Sequence, residues 1–272
     1  MPLNIRTYHD LTDEDRSGLA RQIADQRRRV AARLAGVRRV IAVMSGKGGV
    51  GKSYVTAGLA RALARRGRGV GVGVGVLDAD LESPTVARLL DAPPGRLVVG
   101  DDAVAPALAA DGVRLVSMAQ LLEAGRPLAF RGPDTDSHLW RGALEAAALR
   151  EFLADVAWGA LDVLLVDLPP GIERFQQLAE LLPAPPAVLA VTIPTPESAD
   201  AVRRALRAAV ERSAPVLGVI ENMTGGPFAG DAGETLAREF GIPVLARVPF
   251  HPGDEVWAAL ADSAIHHPQS AI

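Results

Sequence analysis

Residues 37–53 read VRRVIAVMSGKGGVGKS. A short β-branched apolar run, ending at Met44, gives way to a glycine-rich loop, and a helical stretch follows from Lys52 to about Arg66. The loop satisfies G-x-x-x-x-G-K-[ST] with Gly46, Gly51, Lys52 and Ser53, in the strand, loop and helix setting that this motif requires. Its glycines let backbone N–H groups turn inward around phosphate, and the helix N-terminus adds its positive end. Lys52 reaches the β- and γ-phosphates, and the Ser53 hydroxyl can ligate Mg2+. The expectation is a nucleotide site for ATP and Mg2+ along Gly46, Lys47, Gly48, Gly49, Val50, Gly51, Lys52, Ser53 and Tyr54.

Outward from that loop the same unit repeats. Apolar strands are expected at 69–77, 113–117, 161–167, 187–193, 215–221 and 242–248, alternating with helices near 137–156, 173–182, 197–212, 231–240 and 254–262. Near-continuously apolar strands alternating with helices imply an α/β fold, a mostly parallel sheet flanked by helices on both faces. Residues 91–135, rich in Gly, Pro and Asp, hold no long periodic element and suggest a small hairpin near 97–107. GVGVGVGV at 69–76 is read as a central strand closely packed against helices; no helix follows its glycines, as a dinucleotide fingerprint needs. No linker divides the chain, so 37–272 is expected to be one P-loop domain. Residues 1–36 form an extension with one amphipathic helix over 11–35, opened by a capping box from Thr12 to Asp15.

Composition narrows the chemistry. The 272 residues are 22% charged and 49% hydrophobic with a net charge of −3, which excludes a disordered chain and a basic nucleic-acid coat. No run of 18 apolar residues and no leader-like start occur, so the expected location is the cytoplasm, without a membrane partner. There is no cysteine, and so no disulfide, catalytic thiolate or cysteine-ligated iron–sulfur cluster within this chain. Of the 29 basic residues only Lys47 and Lys52 are lysine, and both stand in the loop. A compact ammonium on a flexible stem fits between phosphate oxygens where a planar guanidinium does not.

Two acidic strand ends complete the set. LDVLLVDLPPG (161–171) ends a strand in Asp167, placed to hold Mg2+ through water, before a Pro-Pro-Gly turn that can sense the γ-phosphate. VLDAD (76–80) ends another in Asp78 and Asp80, where a carboxylate can hold the metal's water shell or orient attacking water. Either pair alone reads as turn or capping carboxylates. The combination with the loop argues phosphate hydrolysis.

Lys47 in GKGGVGKS makes the loop similar to the deviant Walker A motif of the MinD/ParA/Mrp ATPases. DADLESPT (78–85), WRGALEAAALREFLADVAWGALDVLLVDLPPG (140–171) and PVLGVIENM (215–223) resemble the Mrp branch (ApbC, Nbp-like), the iron–sulfur cluster carrier ATPases. The resemblance runs from about Val37 to about Leu260. It implies a homodimer sandwiching two ATP, with Lys47 reaching the partner subunit's γ-phosphate. It also implies that Asp80 orients the hydrolytic water, making Lys47, Lys52 and Asp80 the catalytic set, while Asp78 joins Ser53 and Asp167 around Mg2+. Asn222 would bond the adenine edge, and RVPFHP (247–252), with Pro249 and Phe250, would cover the base.

The chain also departs from that pattern. Where cluster carriers have C-x-x-C, it reads TGGPFAGDAG (224–233), and Tyr54 stands where a threonine usually contacts the α-phosphate. Ala143, Glu82, Ser83, Ile172 and Glu173 replace further family residues. The expected function is a slowly hydrolysing dimeric switch ATPase, an accessory in iron–sulfur or metallocofactor assembly with a protein client. Two rivals remain open: a ParA- or MinD-like positioning ATPase, and a regulatory module with negligible turnover. After Arg247 no Lys or Arg occurs, which argues against a basic membrane-binding C-terminal helix.

Overall fold

The computed structural model describes residues 18–67, 73–80, 83–93, 97–100, 102–117, 120 and 138–266. In chain order the elements are α1 (Leu19–Arg33), β1 (Val40–Met44), α2 (Lys52–Arg66), β2 (Val74–Asp78), α3 (Val86–Leu89), β3 (Val98–Val99), β4 (Val104–Ala105), β5 (Ala107–Leu108) and β6 (Arg114–Ser117). There follow α4 (His138–Asp155), β7 (Val163–Asp167), α5 (Glu173–Leu181), β8 (Ala187–Thr192), α6 (Pro196–Glu211), β9 (Val216–Thr224), α7 (Ala232–Phe240), β10 (Val244–Pro249) and α8 (Asp254–His266). The main sheet has the order β10-β9-β8-β1-β7-β2-β6-β5. Every neighbouring pair is parallel except β5 with β6. The α/β fold with helices on both faces is therefore the observed one.

Both faces of the strands are covered, which is why they read as unbroken apolar runs. Along β1 the period of two is plain: Ala42 and Met44 join the core beneath α1, α4, α5, α6 and α7, whereas Ile41 and Val43 join the core beneath α2, α3 and α8. Gly75 in β2 is closely approached by side chains, and a Cβ there would stand 2.6 Å from Leu161 Cδ1. Of the glycines in the Gly-Val run, Gly73 and Gly75 lie in the described part, and both pack closely against the residues leading into β7 and, for Gly75, against Leu164 of β7, not against helices as expected.

Within the described residues the expected strands and helices recur with ends shifted by a few residues, and the hairpin near 97–107 is the antiparallel pair β3 and β4; 69–72 of the expected strand 69–77 and 137 of the expected helix 137–156 lie outside the described residues. Three features depart from the sequence reading. The short helix α3 and the antiparallel edge strand β5 lie where no periodic element was expected, being too short to show a period. α8 continues to His266, past the expected 262. The capping box at Thr12 and Asp15 lies outside the described residues; the described helix begins after Gly18.

The described part of the N-terminal extension is built into the core. Val30 of α1 and Leu34 at its C-cap are buried with Leu149 and Leu153 of α4. Each such burial is worth about 1.5–3 kcal/mol. Arg29 also pairs with Asp155 at 2.6 Å, and Arg33 Nε donates to the Ala154 carbonyl at 3.1 Å.

The phosphate loop leaves β1 in contact with α6. A Cβ at Gly46 would lie 2.0 Å from the Ala201 carbonyl carbon, so any side chain here must push backbone against backbone. Gly46→Ala is expected to lower stability by about 1–3 kcal/mol, as overpacking does. Urea denaturation measures it, and an unchanged midpoint would show that α6 yields freely.

Candidate nucleotide site

The loop between β1 and α2 is held from three sides. Ser45 Oγ donates to the Lys47 carbonyl at 3.0 Å, and the Gly171 N–H donates to the Ser45 carbonyl at 3.2 Å, which joins the loop to the Pro-Pro-Gly turn after β7. From β9, Asn222 Nδ2 donates to the Val50 carbonyl at 2.8 Å. Gly51 has a φ of 78°, and a Cβ there would stand 2.3 Å from that same amide nitrogen. Only glycine meets both conditions, since this φ strains L side chains and the space is taken.

Lys52 and Ser53 open α2 and both reach Asp167 at the end of β7. Lys52 Nζ lies 2.8 Å from Asp167 Oδ1, the two side chains being 6% and 0% exposed. The Ser53 hydroxyl donates to Oδ2 at 2.6 Å. Thr56, one turn further along α2, donates to Oδ1 at 2.8 Å. The carboxylate thus has one cationic and two hydroxyl donors, which is how a charge persists in an interior.

Asp78 is the register partner of Asp167 across β2 and β7. Its Oδ2 accepts the Ser117 hydroxyl at 3.0 Å and the Val86 N–H at 3.2 Å. Burial, and then the charge of Asp167, push its carboxyl up to about 7, against the pull of those two hydrogen bonds and Lys52. Asp80 is half-buried. Its N–H donates to Asp78 Oδ1 at 3.3 Å, while its own Oδ1 accepts the Ser83 N–H at 3.0 Å, fixing the carboxylate on the turn beyond the strand.

The remaining expected residues surround the loop. Lys47, Gly48 and Gly49 form its outer part, with Lys47 half-buried and the two glycines exposed. Asn222 is 3% exposed, so one N–H of its amide is committed to the loop backbone, a role that the resemblance did not indicate. Pro249 pairs with Thr224 at the strand ends. Phe250 is 51% exposed and lies over Gly226, where a Cβ would meet its ring at 2.9 Å. Tyr54 turns to Trp257 of α8 in an edge-to-face pair with ring centroids 5.5 Å apart.

Thr56 and Ser117 are the site residues missed in the sequence. Thr56 falls on the helix face that carries Val55, Leu59 and Ala60 into the core, so nothing in the pattern separates it from a β-branched core residue. Ser117 ends β6 beside β2, a position fixed only by strand order.

The donor set suits Mg2+. The oxygens of Ser53 and Asp167 are hard ligands, and among the described residues no group of three or more His, Cys, Asp or Glu forms a closed cage. Mg2+ prefers that arrangement, keeping waters and taking phosphates as ligands. A glycine loop, a helix N-terminus, a buried lysine and carboxylates at strand ends define a P-loop nucleotide-binding protein.

A family model described as NUBPL iron-transfer P-loop NTPase (ParA) matches residues 36–267, and the chain belongs to that family. It is 39% identical over 234 residues to the cytosolic Fe-S cluster assembly factor NUBP2 of Bos taurus, covering 80% of this chain and 82% of that protein. It is 34% identical over 235 residues to an iron-sulfur cluster carrier protein of Saccharolobus solfataricus, covering 82% and 75%. Among solved structures, a nucleotide-binding protein of Archaeoglobus fulgidus in complex with ADP, with Co, superposes with a TM-score of 0.66 at 30% identity over 87% of this chain and 92% of that one. The septum site-determining protein MinD of Pyrococcus horikoshii shares the fold, with a TM-score of 0.58 at 17% identity over 84% and 96% of the two chains.

The raised Asp78 carboxyl has a consequence for the protein free of metal and nucleotide. Its reference value is 3.8 and its folded value about 7, so the stability it contributes is full below about 4 and is lost as pH rises through 7. Asp78→Asn keeps an acceptor for Ser117 and Val86 and is expected to remove that part of the pH slope in chemical denaturation. Coincident slopes for the two proteins would rule out this titration.

Proposed function

We propose that the chain binds MgATP, dimerises around two nucleotides and hydrolyses ATP slowly, and that this cycle gates a protein client in iron–sulfur or metallocofactor assembly. The observation that carries the reading is the buried group of Lys52, Ser53, Thr56 and Asp167 at the foot of the glycine loop. With phosphate in the loop, the Lys52 ammonium turns from Asp167 to the phosphate oxygens, while backbone N–H groups and the α2 N-terminus complete the cradle. Ser53, Asp167 and Asp78 are the residues that would hold Mg2+, which would supply charge neutralisation at the phosphates. Asp80, fixed by Ser83 on the turn after β2, orients the attacking water.

Two further features support the dimer and the client. Lys47, the chain's other lysine, sits on the outer loop and has no acidic partner within salt-bridge distance among the described residues, so it is available to a neighbouring subunit's nucleotide. The relatives' names point to iron–sulfur assembly. This chain has no cysteine to ligate a cluster, so the cargo is held by another protein and the chain acts as a nucleotide-driven accessory. Among the described residues no helix is long and apolar enough to cross a membrane. A cytoplasmic setting agrees with the naming of NUBP2 as cytosolic.

Lys52→Ala is expected to weaken MgATP binding at least tenfold, about 1.4 kcal/mol, by calorimetry. Asp80→Ala should leave binding intact and slow phosphate release by roughly a hundredfold. Unchanged affinity in the first would sink the nucleotide assignment, and unchanged turnover in the second would remove Asp80 from the chemistry.

The dimer has its own test. With a non-hydrolysable ATP analogue, light scattering should show a dimer for the wild type and mostly monomer for Lys47→Ala, both still binding nucleotide. A Lys47→Ala protein that dimerises normally would remove the cross-subunit role.

A further inference from the structure

Thr56 is fully buried on α2, and its hydroxyl stands 2.8 Å from Asp167 Oδ1 and 3.0 Å from the Lys52 carbonyl. A hydroxyl has one proton. The carboxylate, charged and nearer, is the stronger acceptor, so the bond to Asp167 dominates. Oδ1 is therefore shared by two donors, Lys52 Nζ and Thr56 Oγ1, whereas Oδ2 takes Ser53.

These donors differ in what phosphate does to them. The Lys52 stem is long and flexible, and its ammonium exchanges a carboxylate for phosphate oxygens. The Ser53 hydroxyl can offer its lone pairs to a cation while its proton stays on Oδ2. Thr56 is β-branched, fully buried and stiff at χ1, so its hydroxyl stays beside Asp167, its one alternative acceptor being the Lys52 carbonyl at 3.0 Å. When Lys52 leaves, Oδ1 would be a buried charged oxygen with no donor were it not for Thr56.

We propose that Thr56 is a positioning residue for the nucleotide site: it holds Asp167 Oδ1 when Lys52 departs, which lowers the cost of releasing Lys52 to phosphate and keeps Asp167 aimed at Ser53 and Mg2+. The proposal rests on the MgATP reading above. It adds a residue whose effect is exerted through Asp167 and not by contact with the nucleotide.

The test compares Thr56→Val, which keeps the shape and loses the donor, with Thr56→Ser, which keeps the donor and loses the methyl group. Calorimetry is run with ADP in EDTA and again across a Mg2+ series, with melting temperature as a separate readout. Thr56→Val should bind ADP about tenfold more weakly even in EDTA, the size of one hydrogen bond to a charged group, and should need more Mg2+ to reach half of its maximal gain in affinity. Thr56→Ser should restore both. If Thr56→Val does not fold, Thr56→Ala gives the same comparison. Wild-type affinity and Mg2+ response in the donor-less variant would overturn the proposal, as would equal losses in Thr56→Val and Thr56→Ser, which mean packing alone. A wild-type chain that binds no ADP at all would overturn the parent reading and this one with it.

Discussion

The ion pair between Lys52 and Asp167 is the interaction on which the site depends. Two charges almost wholly withdrawn from water carry a desolvation penalty of several kcal/mol each, and mutual attraction repays it only with further hydrogen bonds. Here those bonds come from Ser53 and Thr56, so three of the five residues from Lys52 to Thr56 serve one carboxylate. Well-packed apolar residues would stabilise such an interior as well or better. The charge is retained at a cost, and it stands where a phosphate would enter.

The sheet explains why that spot is the polar one. Strands covered on both faces admit apolar side chains along their length, so polar groups collect where the strands end. Asp78, Ser117, Asp167, Thr192 and Asn222 are buried polar residues at or near the C-terminal ends of β2, β6, β7, β8 and β9. Around β1 the order runs β8-β1-β7, so the connections leave on opposite sides of this strand. A crevice outside the carboxyl ends of the strands at such a reversal is where open α/β sheets bind ligands. The glycine loop fills it, pressed on α6 at Gly46 and tied to β9 through Asn222.

How much of this was legible in the sequence follows from the range of each signal. The loop is local, its chemistry being written in nine consecutive residues, and Asp167 and Asp78 were legible because an acid ending an apolar run breaks the pattern. Thr56 obeys its pattern and is hidden by it. Ser117 needed the strand order, which no single segment encodes. Asn222 carries a role that the resemblance did not indicate: one of its N–H groups donates to the Val50 carbonyl, a contact across 172 positions that no local pattern announces. The antiparallel edge strand β5, two residues long, carries no period at all.

The same geography separates the nucleotide site from the segment where the resemblance places a cysteine pair. The hydrogen bonds that set the loop and its acids are made by residues up to Asn222, in α2, β2, α3, β6, β7, β9 and the turns beyond β1, β2 and β7. The segment 224–233 lies past the end of that set. It has its own constraints: a Cβ at Gly230 would stand 2.2 Å from the Pro194 carbonyl oxygen, Gly226 lies beneath Phe250, the Gly233 N–H donates to Glu221 Oε1 at 2.8 Å, and the Phe250 N–H donates to the Thr224 carbonyl at 3.2 Å. The buried charges at the foot of the loop are thus fixed without a hydrogen bond from that segment, since the partners of the Asp167 carboxylate are Lys52, Ser53 and Thr56, all on one helix.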